Sequence, residues 1–149
     1  MCLIVMINIM SQVLSSSKGL LDKNSPEVPI ACIITQGKEI IAEATNTRET
    51  EQDVLGHAEL NAIKIASSKL NSWNLSSCTI YVNLEPCSMC TGAILQSHIR
   101  RVVFGAYDYK TGALGSRYNL ANQNLEVQGG LMEEESQAIL NQFFRRLRA

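Results

Sequence analysis

Apolar residues recur every three or four positions in several stretches of the chain, which is the spacing of one face of an amphipathic helix. This pattern predicts a first helix within residues 7–21, before the turn-forming run DKNSP, and a second over residues 57–70. A third helix is predicted over SMCTGAILQSHI, residues 88–99. The fourth covers residues 132–148, where acids occupy the first turn and arginines the last, as the helix dipole favours.

Other stretches carry the short apolar runs that are typical of buried strands. Residues 28–35 and 39–45 flank a short turn at Gly37 and predict a β-hairpin. Three further strands are predicted at residues 78–84, 101–105 and 125–128. The resulting order is α-β-β-α-β-α-β-β-α. Strand–helix alternation in the middle implies crossover connections, so we expect a three-layer α/β/α sandwich with a mixed central sheet of about five strands. Residues 1–149 are expected to form a single domain.

Composition adds a constraint on the class of protein. Hydrophobic residues make up 46% of the 149 residues and charged residues 18%, which favours a folded unit over a disordered one. The formal net charge of −1 does not indicate a nucleic-acid-binding protein. Beyond Leu95, however, seven basic residues stand against five acids. An anionic partner is therefore expected on the C-terminal half.

The five cysteines and the apolar start bear on cellular location. An odd cysteine count outside a small disulfide-rich scaffold favours a reducing compartment. The opening MCLIVMINIM lacks a basic region and a cleavage pattern, and it is shorter than the ~20 apolar residues of a membrane span. We therefore expect a cytoplasmic protein without a membrane segment.

Cys87 and Cys90 stand three positions apart, just behind Pro86, at a predicted strand-to-helix junction. A disulfide, a structural metal knuckle and half of a catalytic metal site are all possible interpretations. Free N–H groups at a helix N-terminus favour thiolates, and two thiolates at this spacing can bind one Zn²⁺. The sequence favours metal over a disulfide because nothing else indicates an oxidising location.

His57 and Glu59 are the candidate partners of the two cysteines. His57 opens a helix directly after Gly56, whereas His98 lies late in the cysteine helix and far from its N-terminal end. Residues i and i+2 of a helix point to roughly opposite sides, so His57 and Glu59 can serve one site only above the helix end. An arrangement in which the two helix N-termini meet around a cation allows His57 and Glu59 to act at the same site as Cys87 and Cys90.

Three ligands, His57, Cys87 and Cys90, are one fewer than a structural zinc normally has. Cys32, Cys78 or Glu59 could supply the fourth. The interpretation we favour leaves that position to water, which a catalytic zinc activates, and makes Glu59 the proton shuttle.

HAE at residues 57–59 with PCSMC at residues 86–90 resembles the signature of the zinc-dependent nucleobase deaminases. The stretches PEVPIACIIT, YVNLEPCSMCTGAIL and VVFGAYDYKTGALGS are most similar to the bacterial tRNA-specific adenosine deaminases. The resemblance implies a cytidine deaminase-like fold. It also implies hydrolysis of adenosine to inosine at the wobble position of a tRNA anticodon loop, a homodimer, and one Zn²⁺ per chain.

Carried over position by position, the resemblance implies a set of site residues. Glu59 is the catalytic acid and base, and the metal ligands are His57, Cys87 and Cys90. The substrate-binding residues it implies are Asn46, Leu84, Glu85, Asp108, Lys110, Phe144 and Arg145. The chain departs from the family at Ala31, where glycine is usual, and in DVLG, residues 53–56, which replaces a D-P-T-A run.

Two other functions fit parts of the same pattern. A guanine, cytosine or dCMP deaminase shares HAE and PCxxC, but AYDYKTGALGS and FFRRLR argue against it. A non-catalytic, zinc-stabilised RNA-binding module has no use for Glu59. The sequence therefore favours the tRNA-editing enzyme.

Overall fold

The computed structural model describes residues 2–149. Within this range the chain forms a mixed sheet with helices on both of its faces. The elements in chain order are α1 (Leu3–Asp22), β1 (Ala31–Gln36), β2 (Glu39–Thr45), α2 (Arg48–Glu51), α3 (Ala58–Leu70), β3 (Cys78–Leu84), α4 (Ser88–Gln96), β4 (Arg101–Ala106), β5 (Glu126–Gln128) and α5 (Glu133–Arg148).

The central sheet has five strands in the order β2-β1-β3-β4-β5. Strand β1 runs antiparallel to both β2 and β3, whereas β3, β4 and β5 are parallel. A two-residue turn joins β1 to β2, and Gly37 adopts the positive φ of 60° that glycine accepts without a steric penalty. The predicted hairpin and mixed sheet are therefore confirmed.

Alternate strand residues pack into two separate hydrophobic clusters. On one face, Ala31, Ile33 and Tyr81 pack with the buried side of α1. On the other face, Cys32 and Ile34 join the alanines of α3 and Ile94 of α4. Strands that are covered on both faces need apolar residues at nearly every position, which explains their continuous apolar runs. The three-layer α/β/α sandwich is confirmed.

Helix α1 is longer than the sequence pattern predicted. It begins at Leu3 and has 20 residues, so it is long and apolar enough to cross a membrane. Buried core helices share this length and composition. The expectation that this region is too short to span was therefore wrong. One side of α1 is buried against the sheet. Its Ser17 is fully buried, donates to Pro29 O at 2.5 Å and accepts a bond from Asn83 Nδ2.

Several other boundaries differ from the prediction. Strand β1 begins at Ala31 rather than at residue 28, and β5 begins at Glu126. Helix α4 ends at Gln96, and His98 beyond it takes a left-handed φ of 64° and packs against Trp73. The single turn α2 had no apolar periodicity to reveal it, because none of its four residues is buried.

Candidate active site

His57 occupies the N-cap position of α3 with an extended backbone, and its side chain makes no capping hydrogen bond. The cap comes from Asn46, whose Oδ1 accepts a bond from Ala58 N at 2.9 Å. Gly56, just before His57, lies so close to the preceding segment that a Cβ there would be 2.8 Å from Arg48 N. Since the Asn46 amide satisfies the helix end, the imidazole of His57 is available to the cysteines.

Cys87 and Cys90 begin the facing helix. Cys87 is the N-cap of α4, and Cys90, one turn on, is fully buried. Strand β3 ends at Leu84, so only two residues separate it from the first cysteine. Pro86 directly precedes the N-cap, and its carbonyl accepts a bond from Ala113 N at 2.9 Å.

The two helix N-termini meet as predicted. His57 Nδ1 lies 3.6 Å from Cys87 Sγ and 3.3 Å from Cys90 Sγ. In the part of the chain that the structure describes, these three residues form the one group of potential metal ligands whose atoms all lie within 4.8 Å of one another. Cys32, Cys78 and Glu59 lie outside that group.

The donor set fits zinc. Around a tetrahedral zinc with Zn–S near 2.3 Å and Zn–N near 2.0–2.1 Å, neighbouring ligand atoms are separated by roughly 3.5–3.8 Å. The two sulfur–nitrogen distances are close to that spacing. Two sulfurs and one imidazole nitrogen are also the soft and borderline donors that zinc prefers. The arrangement is compatible with a zinc site of three protein ligands.

The titration behaviour of the cysteines follows from their contact. A hydrogen bond from Cys90 lowers the pKa of Cys87 to about 4, and the contact with His57 contributes to the decrease. The same hydrogen bond and burial raise the pKa of Cys90. The pKa of His57 is raised, chiefly by its hydrogen bond with Cys87. A metal that binds here would displace the retained proton of Cys90.

Glu59 lies beside this cluster and is 5% exposed. Burial raises the pKa of its carboxyl group to about 7, and the nearby Cys87 adds to the increase. A carboxyl group whose pKa lies near neutrality can both take up and release a proton under physiological conditions. The structure therefore gives Glu59 the electrostatic environment of an acid–base group.

A cleft of about 390 Å³ opens above these residues. His57, Glu59 and Cys87 line it, while the buried Cys90 lies behind Cys87. The cleft also collects five of the residues that the resemblance assigned to substrate binding: Asn46, Leu84, Glu85, Asp108 and Phe144.

Lys110 and Arg145 do not line this cleft. They line a neighbouring depression of about 440 Å³ with Asn141 and Arg148, and Phe144 borders both. The two basic residues that the sequence singled out therefore lie at the mouth of the cleft. There they can contact the part of a bound molecule that extends out of the cleft, but not the part inside it.

Asn46 has a structural role in addition to its place in the cleft. Its Nδ2 donates to Val28 O at 3.2 Å, and its Oδ1 caps α3. An amide offers two N–H donors and two acceptor lone pairs. One of each is therefore uncommitted and available to a bound group.

Glu85 is 2% exposed, and its carboxylate accepts hydrogen bonds from the backbone N–H groups of Asp108, Leu114 and Ser116 and from the Ser116 hydroxyl. Its own N–H donates to Ala106 O at 2.8 Å. The side chain thus holds one wall of the cleft. Gly112 is part of this arrangement, because a Cβ there would clash with the Glu85 carboxyl group.

Asp108 shapes the same wall. Its Oδ1 accepts bonds from Lys110 N and Thr111 N, and its Oδ2 accepts one from the Thr111 hydroxyl at 2.8 Å. These contacts close a turn that presents Lys110 outward. The carboxylate of Asp108 is therefore largely occupied by its own loop.

Several residues that line the cleft were missed at the level of sequence, among them Glu27, Arg48 and Phe143. An acid within the otherwise apolar run PEVPIACII was a usable signal for Glu27, because a charged residue among core residues needs a reason to be there. Arg48 and Phe143 had no comparable signal, since both sit in ordinary amphipathic or polar surroundings.

The departure at Ala31 does not reach the cleft. Ala31 is fully buried in the cluster beneath α1, and its N–H donates to Asn83 Oδ1 at 2.9 Å. The extra methyl group therefore packs on the α1 side of the sheet, away from His57 and Glu59.

Comparisons with known proteins agree with the geometry. A family model described as MafB19-like deaminase matches residues 7–148. The tRNA-specific adenosine deaminase of Bacillus subtilis (strain 168) is 46% identical over 127 residues, covering 82% of this chain and 79% of that protein. The protein of the same name from Rickettsia felis (strain ATCC VR-1525 / URRWXCal2) is 36% identical over 146 residues, covering 93% of this chain and 100% of its own length.

Solved structures give the same result. A structure from a study of A-to-I editing by tRNA deaminases at the wobble position superposes with a TM-score of 0.78 and 32% identity, covering 87% of this chain and 96% of that chain. The guanine deaminase of Nitrosomonas europaea superposes with a TM-score of 0.76 at 24% identity, covering 90% and 81%, which supports the fold alone. The chain matches the MafB19-like deaminase family over most of its length and belongs with the tRNA-specific adenosine deaminases.

Proposed function

We propose that this protein is a zinc-dependent hydrolase that converts adenosine to inosine at the wobble position of a tRNA anticodon loop. The observation that carries the proposal is the convergence of His57, Cys87 and Cys90 beside the buried Glu59 in one cleft. The 46% identity to a tRNA-specific adenosine deaminase supports this substrate over a free base. Residues 1–149 would act as one deaminase domain.

One zinc ion per chain would be held by His57, Cys87 and Cys90. When bound, zinc supplies Lewis-acid activation of the water that the hydrolysis consumes. The protein's own contribution is the disposition of the three donors, which leaves one side of the group open toward the cleft and Glu59. That opening is what a catalytic site requires and a structural one does not.

Glu59 would carry the protons of the reaction. Water adds to the C6 carbon of adenine, the bond from C6 to the amine breaks, and inosine and ammonia form. Glu59 would accept a proton from the water and deliver it to ring N1, and would then move the remaining proton of the new C6 hydroxyl to the departing amine as the C6 carbonyl forms. A pKa of about 7 lets the group alternate between both states.

The cleft and its mouth suit an unpaired nucleotide with flanking RNA. The uncommitted donor and acceptor of Asn46 would bind the nucleoside, with the Leu84–Glu85 backbone near the leaving amine. Asp108, Lys110, Phe144 and Arg145 would contact the nucleotides beside it, Phe144 through its ring. Its side chain is 41% exposed at the mouth, where a base can stack on it.

We further propose that the protein is a cytoplasmic homodimer in which α4 contributes to the interface. A Cβ at Gly92 would find no atom within 4 Å, and Ala93 and Leu95 are only half-buried. All five cysteines are free thiols, which suits a reducing compartment. Sedimentation of the purified protein should give twice the monomer mass of 16.4 kDa.

A substrate panel tests the proposed reaction. Purified zinc-loaded protein is incubated with an anticodon stem-loop RNA that carries a wobble adenosine, and separately with guanine, cytosine and dCMP. We expect inosine in the RNA and no turnover of the small molecules. Turnover of a free base or nucleotide with no inosine in the RNA would contradict the proposed substrate.

A further inference from the structure

Glu27 is a buried acid that the proposed reaction does not use. It lies in the loop before β1, is 3% exposed and lines the cleft. Its carboxylate accepts hydrogen bonds from Glu49 N at 3.1 Å, from Thr50 N at 2.6 Å and from the Thr50 hydroxyl at 2.6 Å. One side chain thereby ties the loop before β1 to the turn α2.

The segment that Glu27 holds carries three other residues of the cleft, Asn46, Arg48 and Glu49. The same two stretches of chain are joined again by the backbone. Asn46 N donates to Ile30 O at 3.2 Å, and Asn46 Nδ2 donates to Val28 O at 3.2 Å. Residues 27–30 and 46–50 therefore form one continuous wall of the cleft, with Glu27 closing the end that Asn46 does not reach.

The burial of a carboxylate here needs compensation, because removing a charge from water without partners is costly. Burial by itself would raise the pKa of Glu27, but the hydrogen bonds from Thr50 and Glu49, with the nearby Arg48, leave it below the usual value of 4.5. The three hydrogen bonds thus favour the ionised form of the Glu27 carboxyl group. It accepts all three bonds at neutral pH.

We propose that Glu27 is a positioning residue for nucleoside binding, which fixes the wall that carries Asn46 and Arg48. This inference rests on the proposed function. Glu27 holds the wall through its bonds to Glu49 and Thr50 of α2. Cys87 and Cys90 begin α4, outside this wall. Helix α3 is capped by Asn46, which is held by Val28 O and Ile30 O and not by Glu27 itself. Loss of the Glu27 contacts should therefore weaken substrate binding while the chemical step continues.

The primary test is Glu27→Gln in the zinc-loaded protein, assayed with the anticodon stem-loop RNA. A glutamine amide presents an N–H group toward at least one of the three donors, so the wall loosens. We expect KM to rise about tenfold, the effect of losing one charge-assisted hydrogen bond, with kcat changed less than about twofold. Zinc content should stay at one per chain.

Variants of Thr50 provide an independent test that does not alter the buried charge. Thr50→Val removes the hydroxyl that donates to Glu27, and Thr50→Ser keeps it. KM should rise for the valine variant and stay near the wild-type value for the serine variant. Because the two side chains act through one contact, Glu27→Gln with Thr50→Val should raise KM by less than the product of the single effects.

Glu43→Gln is the matched control. Glu43 also accepts a bond from a hydroxyl, that of Ser16 at 2.5 Å, but it is exposed and lies outside the cleft. Its substitution should leave KM unchanged.

The possible failures can be told apart. An active wild type with an unchanged KM in both Glu27→Gln and Thr50→Val overturns the positioning role alone. A fall in kcat of Glu27→Gln that is proportional to a loss of bound zinc also overturns the positioning role, because it indicates general structural damage. A wild type that makes no inosine overturns the proposed function and the inference that rests on it.

Discussion

Three buried glutamates border the cleft, and their surroundings separate their roles. Glu59 has too few hydrogen bonds to offset its burial, which raises its pKa to about 7. Glu27 accepts three bonds from one wall, and Glu85 accepts four from the opposite wall. A proton carrier needs a carboxyl group whose protonated and ionised forms have similar free energies near neutral pH. A carboxylate that holds two segments together needs oxygens that accept several hydrogen bonds.

The role of Glu59 can be separated from metal binding by substitution. We expect Glu59→Ala to keep about one zinc per chain and to lower kcat at least ~10²-fold, the usual contribution of acid–base catalysis. Cys87→Ala should lose the metal, while Cys78→Ala, a buried cysteine away from the site, should keep it. Zinc content by atomic absorption and inosine formation are measured together. Near wild-type turnover in Glu59→Ala would exclude the shuttle role.

Glu85 should make a large contribution to stability. Glu85→Gln replaces a carboxylate that accepts four hydrogen bonds in the interior. We expect the free energy of unfolding in urea to fall by about 2 kcal/mol. Glu126→Gln is the control, since the Glu126 side chain is 68% exposed and its carboxylate accepts a hydrogen bond from Arg101 at the surface. Its effect should stay within about 0.5 kcal/mol. Equal effects of the two substitutions would refute the role of Glu85 in the wall.

Glu27 should give stability a pH dependence of known sign. The folded-state pKa is lower than the usual value of 4.5, so its carboxylate stabilises the fold above that pH. The stabilisation is lost as the pH falls through the folded-state pKa. The difference in unfolding free energy between wild type and Glu27→Gln should therefore be constant around pH 7 and shrink as the pH falls below 4.5. A difference that grows in acid would mean that the pKa is raised instead.

At the scale of elements, neighbouring residues of α5 serve different surfaces. Arg146 Nη1 donates to Leu21 O at 2.7 Å and to Asn24 Oδ1 at 3.3 Å, at the C-terminal end of α1. Arg145 lines the basic depression beside the cleft. Successive residues of a helix point about 100° apart, so one element can pack with one arginine and present the other.

This division predicts opposite results for two adjacent substitutions. Arg146→Ala should lower the unfolding free energy by about 1 kcal/mol and leave KM for the stem-loop unchanged. Arg145→Ala should leave the free energy of unfolding unchanged and raise KM. It should also make the slope of the logarithm of the binding constant against the logarithm of salt concentration shallower, by up to about the value expected for one phosphate contact. Urea unfolding and steady-state kinetics at several salt concentrations are the measurements. An exchange of the two outcomes would place the wrong arginine at the RNA.

At the scale of the whole molecule, the candidate metal site joins the N-terminal ends of two helices. His57 begins α3, and the cysteines begin α4. A metal bound by all three would connect the β2–α3 unit to the β3–α4 unit, and its binding energy would stabilise the folded state.

Removal of the metal should therefore affect both activity and thermal stability. After chelation we expect no inosine formation and a decrease in Tm of roughly 5–10 °C, which corresponds to a few kcal/mol for a chain of this size. Added zinc should restore both. In Cys87→Ala, the chelator should cause no further decrease. An unchanged Tm in the wild type would indicate that the three residues hold no stabilising ion.

Periodicity and motif spacing in the chain were enough to predict the layers and the cluster of candidate metal ligands. Strand residues that are apolar on both faces, and helices that are apolar on one, have a single compact arrangement, so the three-layer sandwich followed from the pattern. HAE and PCSMC were sufficient to place His57, Glu59, Cys87 and Cys90 at two helix N-termini. Local chemistry determined these features, because caps, turns and apolar runs act within a few residues.

Tertiary structure alone decided which polar groups border the cleft. Glu27 meets Thr50 across 23 residues, and Glu85 meets Leu114 across 29, so neither contact leaves a local pattern. None of the residues of α2 is buried, so its position depends on the hydrogen bonds from Glu49 and Thr50 to Glu27. A hydrogen bond between distant segments is determined by where the folded backbone brings its donors, and a single sequence does not record that position.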